Sequence, residues 1–267
     1  MNRAYFNFLI QQAEKEFTGW DFSYLAETGR MASEPLAWNY TNWVLPEMVN
    51  AASMLDMGTG GGELLSLLSP LPSHTAATEG YGPNIEIAAE RLTPLGIEVY
   101  KVDDDSRLPF DDRLFDLIIN RHESYDPQEV NRILKPGGLF ITQQVGGTDN
   151  LGLNRLLGAK EDFGYAGWNM EKAVQQLEAA GFHIVASFEA YPYTRFYDVG
   201  AILYYLKAIP WQIEGFSFKG YEKKLRELHD EILRTGYAEV RSHRFIIKAQ
   251  KKSRRAGLRK TGPLEGA

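Results

Sequence analysis

Met54-Leu55-Asp56-Met57-Gly58-Thr59-Gly60-Gly61-Gly62-Glu63 reads as a short apolar strand that ends beside a carboxylate, turns through glycines and enters a helix. Glycine at such a turn lets backbone pass close to a ligand, because no Cβ stands in the way. Outward from this turn, strand and helix patterns alternate. Strands are expected over 52–57, 74–79, 97–102, 115–120, 139–144, 182–189 and 244–249, with helices over 64–68, 85–92, 127–134 and 170–180. Phe115-Asp116-Leu117-Ile118-Ile119-Asn120 has the continuous apolar character of a strand buried on both faces. Lys135-Pro136-Gly137-Gly138 is expected to stop the helix before it, and Gly181 to cap the helix that precedes it.

This alternation predicts an α/β fold: a doubly wound, mostly parallel seven-stranded sheet with helices on both faces. Two more helices, 198–209 and 219–235, would form a helical insertion between strands six and seven, at about 192–242. Residues 1–50 read as N-terminal helices forming a lid, with Tyr5, Phe6, Leu9 and Ile10 at helical spacing. The main domain spans 51–250, and residues 251–267 form a basic tail expected to be disordered.

The 267 residues are 44% hydrophobic and 24% charged, which allows a sizeable core. With no cysteine, disulfides, thiolate metal sites and a cysteine nucleophile are excluded. The five histidines show no metal-ligand spacing, so no metal is expected. No signal peptide pattern or membrane-length apolar run is present, and the cytoplasm is the expected location. Net charge is −6, while the tail carries Lys251, Lys252, Arg254, Arg255, Arg259 and Lys260 against Glu265 alone. The body is thus more acidic than the whole chain, which disfavours a nucleic-acid partner.

Ligands of open α/β sheets bind at the carboxyl ends of the strands, beside the point where strand order reverses. Three acidic positions fall there: Asp56 after strand one, Glu79 after strand two, and Asp104-Asp105 after strand three. Glu79 lies roughly 20 residues past the glycine turn, where an acidic side chain accepts ribose hydroxyls. A dinucleotide fingerprint would need glycine at position 63, where Glu63 would compete with a pyrophosphate for the helix N-terminus. S-adenosylmethionine has no phosphate and carries a sulfonium and an ammonium against one carboxylate, so an acidic pocket suits it.

The chain resembles the class I S-adenosylmethionine-dependent methyltransferases over roughly residues 50–190. The resemblance rests on the glycine turn, on Glu79-Gly80-Tyr81-Gly82-Pro83-Asn84, on Asp104-Asp105-Ser106-Arg107-Leu108-Pro109-Phe110, on residues 115–120, and on Leu134-Lys135-Pro136-Gly137-Gly138-Leu139. It implies a sheet ordered 3-2-1-4-5-7-6 with the last strand antiparallel. It also implies that Asp56, Gly58 and Gly60 lie along the methionine moiety, with Asp56 near its ammonium, and that Thr59 and Gly80 belong to the same cofactor-binding set. Glu79 would hold the ribose hydroxyls and Tyr81 would lie against the adenosine. Asp104 would accept from the adenine amino group with the Asp105 backbone at the ring edge, the assignment between these two staying open. Asn120 and Arg121 would line the sulfonium side.

Methyl transfer is an in-line displacement, so alignment and exclusion of water carry much of the catalysis. Where the acceptor must lose a proton, His122 and Glu123, just past strand four, are the candidate bases. A packing role for His122 and a helix-start role for Glu123 stand beside that reading. Trp20, Phe22, Tyr24, Trp38, Tyr40 and Trp43 suit core packing or a pocket cap. Tyr191, Tyr193, Arg195, Phe196 and Tyr197 are candidates for an acceptor wall. The expected function is methyl transfer to a small-molecule acceptor, with no membrane partner. The alternatives are an RNA or protein methyltransferase, or a non-catalytic S-adenosylmethionine-binding protein.

Overall fold

The computed structural model describes residues 3–17, 22–161 and 164–253. Trp20 and the basic tail from Arg254 onward therefore lie outside the described residues, and with them the reading of that tail as disordered. In chain order the elements are α1 (Arg3–Gln12), α2 (Ser23–Glu27), β1 (Met31–Ser33), α3 (Tyr40–Met48), β2 (Ser53–Met57), α4 (Glu63–Leu67), β3 (His74–Glu79), α5 (Gly82–Leu92) and β4 (Glu98–Lys101). After them come β5 (Phe115–Arg121), α6 (Pro127–Ile133), β6 (Leu134–Val145), α7 (Leu151–Leu157), α8 (Met170–Ala179) and β7 (Phe182–Ala190). The chain continues through β8 (Tyr193–Phe196), α9 (Val199–Ala208), α10 (Phe218–Thr235), β9 (Ala238–Arg241) and β10 (Arg244–Lys251).

The large sheet has seven strands in the order β4-β3-β2-β5-β6-β10-β7. Its pairings are parallel except those of β10, which runs antiparallel to β6 and β7. Successive side chains on a strand face opposite sides. Leu55 and Ile118 accordingly join one apolar cluster with Val130 and Leu177, while Met54, Leu117 and Ile119 join another with Leu65 and Leu92. Both faces are covered, as the apolar run at 115–120 requires. Strand order reverses between β2 and β5, so their carboxyl ends open a crevice.

A third cluster lies apart from the sheet. Phe6 and Leu9 of α1 pack with Ile202 and Leu206 of α9, with Leu225 and Ile232 of α10, and with Leu153 of α7. Arg30 adds a bidentate pair with Asp198, at 2.8 and 2.6 Å. The N-terminal segment and the insertion therefore share one core.

Four local readings need correction. Residues 1–50 are not all helical, because Met31–Ser33 pairs with β8, which also pairs with β9. The insertion is for the same reason not purely helical. Residues 151–157 form a helix where none was expected. Lys135-Pro136-Gly137-Gly138 ends α6 at Ile133 but does not delay the next strand: β6 starts at Leu134 and carries the four residues as an irregularity. Phe115 pairs with Leu134 and Leu117 with Leu139, so the extra residues bulge out of the ladder around left-handed Gly137. No helix among the described residues is long and apolar enough to cross a membrane.

Candidate cofactor and acceptor site

Register brings the predicted acids together. Met57 pairs with Thr78 on one side and with Asn120 on the other, so Asp56, Glu79 and Arg121 stand at neighbouring strand ends. The glycine turn is tied to β3, with Thr59 N donating to Thr78 O at 2.9 Å and Gly60 N to Glu79 Oε2 at 2.7 Å. Tyr81 N donates to the other carboxylate oxygen at 2.8 Å. Glu79 is thus held rigidly between the turn and the start of α5, with lone pairs left for further donors. Gly80 cannot be larger, since a Cβ there would press on Val102 O at 2.9 Å. The Tyr81 ring is exposed beside Glu79.

Asp56 is buried, at 6% exposure, among groups that do not fully neutralise it. Burial pushes its carboxyl up to about 7, against the opposing pull of the Thr59 hydroxyl and the Arg121 guanidinium. Tyr40, brought in by α3, lies close to both Asp56 and Arg121, and its hydroxyl finds no hydrogen-bond partner. Thr59 Oγ1 is also buried without a partner of good geometry. Hydroxyls held this loosely beside a buried acid are what a polar ligand would satisfy.

Gly58 has a left-handed φ of 67°, and the Glu123 side chain occupies the space where a Cβ would project. Ser124 Oγ donates to Asp105 and lies 3.2 Å from Glu123 Oε1, linking the β4 and β5 loops. Burial raises the carboxyls of Glu79, Asp105 and Glu123, and Glu123 is raised further by Asp105 and Glu79. Asp104, by contrast, is exposed and turned away, accepting from Ser106 N at 2.8 Å and Ser106 Oγ at 2.7 Å. Of the two, Asp105 is the acid facing the crevice.

Glu63 heads α4, and its carboxylate is paired with Arg91 at 2.6 Å. Asn120 is fully buried, with its amide oxygen accepting from Thr142 Oγ1 at 2.8 Å and from Gln144 at 2.7 Å. Its side chain therefore braces β6. Arg121, at the exposed end of β5, acts electrostatically on Asp56, Tyr40 and His122.

His122 adopts a left-handed φ of 65°, uncommon for a residue with a Cβ. Its N–H donates to Gln143 O at 2.8 Å, and its Nε2 lies 3.1 Å from Gln143 Nε2. Gln143 Oε1 accepts from Trp38 Nε1 at 2.9 Å. The residue is exposed, yet the protein packed around the imidazole, then Arg244 and Arg121, hold its pKa well below the ordinary imidazole value. Trp38 and Trp43 line a recess of about 290 Å³ with Phe188. Tyr40 and Trp38 are thus site residues as well as packing residues, and no periodicity marks them as such.

The proposed acceptor wall divides. Tyr191 and Tyr193 line a second recess, of about 320 Å³. Arg195 pairs with Glu239 at 2.7 Å, Phe196 is core, and Tyr197 packs on Tyr237. His243, unremarkable in sequence, joins Glu189 at 2.9 Å to Thr148 at 2.8 Å. Among the described residues, no group of three or more His, Cys, Asp or Glu is placed to hold a metal.

Residues 55–142 match a family model described as a methyltransferase domain. No curated protein sequence matches the chain. Among solved structures, a protein of Bacillus halodurans C-125 assigned provisionally to the methyltransferases superposes with TM-score 0.57 at 15% identity, covering 80% of this chain and 97% of its own. The YcgJ protein from Bacillus subtilis gives 0.55 at 16%, covering 80% and 99%. A functionally unknown protein from Deinococcus radiodurans R1 gives 0.56 at 14%, covering 83% and 90%. At such identities these likenesses concern the fold.

Proposed function

We propose that the chain is a class I S-adenosylmethionine-dependent methyltransferase, with the matched methyltransferase domain at residues 55–142 in support, and that it methylates a small molecule bound between the glycine turn and the N-terminal aromatics. One observation carries the cofactor assignment: Asp56, Glu79, Asp105 and Glu123 gather around one turn with carboxyls raised by burial. Buried acids in such a cluster favour a cationic ligand, which restores their ionised forms. A nucleoside with an ammonium and a sulfonium fits that donor set, whereas a pyrophosphate would meet only repulsion.

Asp56 would take the ammonium, with the Thr59 and Tyr40 hydroxyls available to the same moiety. Glu79 would accept from the ribose hydroxyls, and Tyr81 would lie against the adenosine. The adenine amino group would find Asp105 on the crevice side, or Asp104 if its link to Ser106 opens. Bound there, the cofactor supplies a methyl group already activated by positive sulfur. The chain's own part is to hold donor and acceptor in line and keep water out. Trp38, Trp43 and Phe188 give the acceptor side apolar walls of small-molecule size.

Thermal unfolding with added ligands tests this reading. S-adenosylmethionine and S-adenosylhomocysteine should each stabilise the protein by about 2.7 kcal/mol at a hundredfold excess over Kd, and NAD should not. Stabilisation by NAD alone would sink it.

A further inference from the structure

The hydrogen bonds around His122 determine which of its nitrogens carries the proton. An indole nitrogen is a donor only. Trp38 Nε1 therefore requires an acceptor, and Gln143 Oε1 supplies it at 2.9 Å. That contact orients the amide, so the atom turned toward His122 at 3.1 Å is the NH₂ group. Two N–H groups cannot face each other, and His122 Nε2 must carry its lone pair toward Gln143. The proton of the neutral ring is on Nδ1. No hydrogen-bond partner of Nδ1 exists among the described residues, and the residue is exposed. Protonating the ring would set an N–H against the amide, in the presence of Arg121 and Arg244. The neutral ring persists.

We propose that Trp38 and Gln143 lock His122 as a hydrogen-bond donor, and that the site takes an acceptor whose attacking oxygen is already ionised, of the carboxylate class. The second half rests on the methyl-transfer reading above. A general base needs a lone pair toward the substrate, and His122 spends its lone pair on Gln143. Glu123 does not replace it, because its side chain lies on Gly58, toward the cofactor turn. What surrounds His122 is donor-rich: its own Nδ1–H, the Arg121 guanidinium, and Arg244, which pairs with Asp149. Arg121 has no carboxylate at ion-pair distance among the described residues. A phenol or ammonium acceptor would have to shed a proton, and His122 offers it no lone pair. A carboxylate needs none. Its oxygen lone pair forms the O–CH₃ bond while the S–CH₃ pair returns to sulfur, giving a methyl ester and a neutral thioether with no proton transferred.

The test is nitrogen NMR on the full chain with ¹⁵N-labelled histidine, the His122 signals being those lost in His122→Gln. Wild type should show His122 as the Nδ1–H tautomer alone. Gln143→Glu should move the proton to Nε2, since a carboxylate accepts from both Trp38 and the ring. Trp38→Phe, with the amide freed, should give a mixture. An Nε2–H tautomer in wild type overturns the lock, as does a spectrum unchanged in Gln143→Glu protein that still melts cooperatively. With S-adenosylhomocysteine present, benzoate and hexanoate should shift the Nδ1 resonance, while phenol and benzylamine at equal concentration should not. No shift with either carboxylate, or an equal shift with benzylamine, overturns the acceptor class. Failure of S-adenosylhomocysteine to bind would instead count against the methyl-transfer reading and leave the tautomer result standing.

Discussion

Asp56→Asn should make the protein more stable and less able to bind its cofactor. Asp56 is buried at the end of β2, and burial raises its carboxyl from 3.8 to about 7. A group whose folded value lies above its unfolded one contributes stability below the unfolded value and loses it as pH rises through the folded one. At pH 8 the ionised carboxylate thus costs the fold about 4 kcal/mol, and at pH 5 roughly 1.6 kcal/mol remains from ionisation of the unfolded chain. Asparagine keeps the shape without the charge. The ligand-free variant should therefore gain up to about 4 kcal/mol at pH 8 and little more than a third of that at pH 5. Binding moves the other way. Loss of the ammonium's partner should weaken S-adenosylmethionine by about 2 kcal/mol or more, some thirtyfold. Wild-type affinity should also fall roughly tenfold from pH 8 to pH 6, because protons compete with the ammonium for Asp56, whereas the variant's affinity should stay flat. Urea unfolding and calorimetric titration at the two pH values measure both effects. A variant less stable than wild type at pH 8, with unchanged affinity, would refute the reasoning.

Gly58→Ala should lower cofactor affinity at least tenfold and cost about 1–3 kcal/mol, since the residue has a left-handed φ and its Cβ would meet Glu123. Adding Glu123→Ala should recover only the steric part in calorimetry and thermal melts. Arg30→Ala should destabilise by about 3–5 kcal/mol in denaturant unfolding, because Asp198 would be left buried at the insertion; a change under about 0.5 kcal/mol would refute the shared core. Removing residues 254–267 should leave small-molecule turnover intact, and a selective loss of RNA methylation on that deletion would favour a macromolecular acceptor instead.

Much of the architecture was legible because it depends on local pattern. Alternating apolar faces on strands and helices are the same signal wherever the chain goes, and they predict a sheet covered on both sides. The glycine turn, Asp56 and Glu79 were legible for a related reason: strand ends in an open parallel sheet collect at one crevice whatever the details of packing. Lys135–Gly138 misled because Pro and Gly signal a break locally, while pairing with β5 on both sides of it, at Leu134 and again from Leu139, holds the strand together.

What needed the tertiary structure is every relation between residues distant in the chain. Trp38 and Gln143 are 105 positions apart, and only their contact assigns the proton on His122. Tyr40 suited either core packing or a pocket cap by sequence, and only α3 sets it near Asp56. Arg30 and Asp198, 168 positions apart, join two segments that the sequence presents as separate. Sequence alone determined the fold class and the glycine turn, since hydrophobic periodicity and glycine geometry act over a few residues. The titration of Asp56, the tautomer proposed for His122 and the walls of the recess between Trp38 and Phe188 were decided by folding, because burial, charge and hydrogen-bond direction belong to neighbours in space.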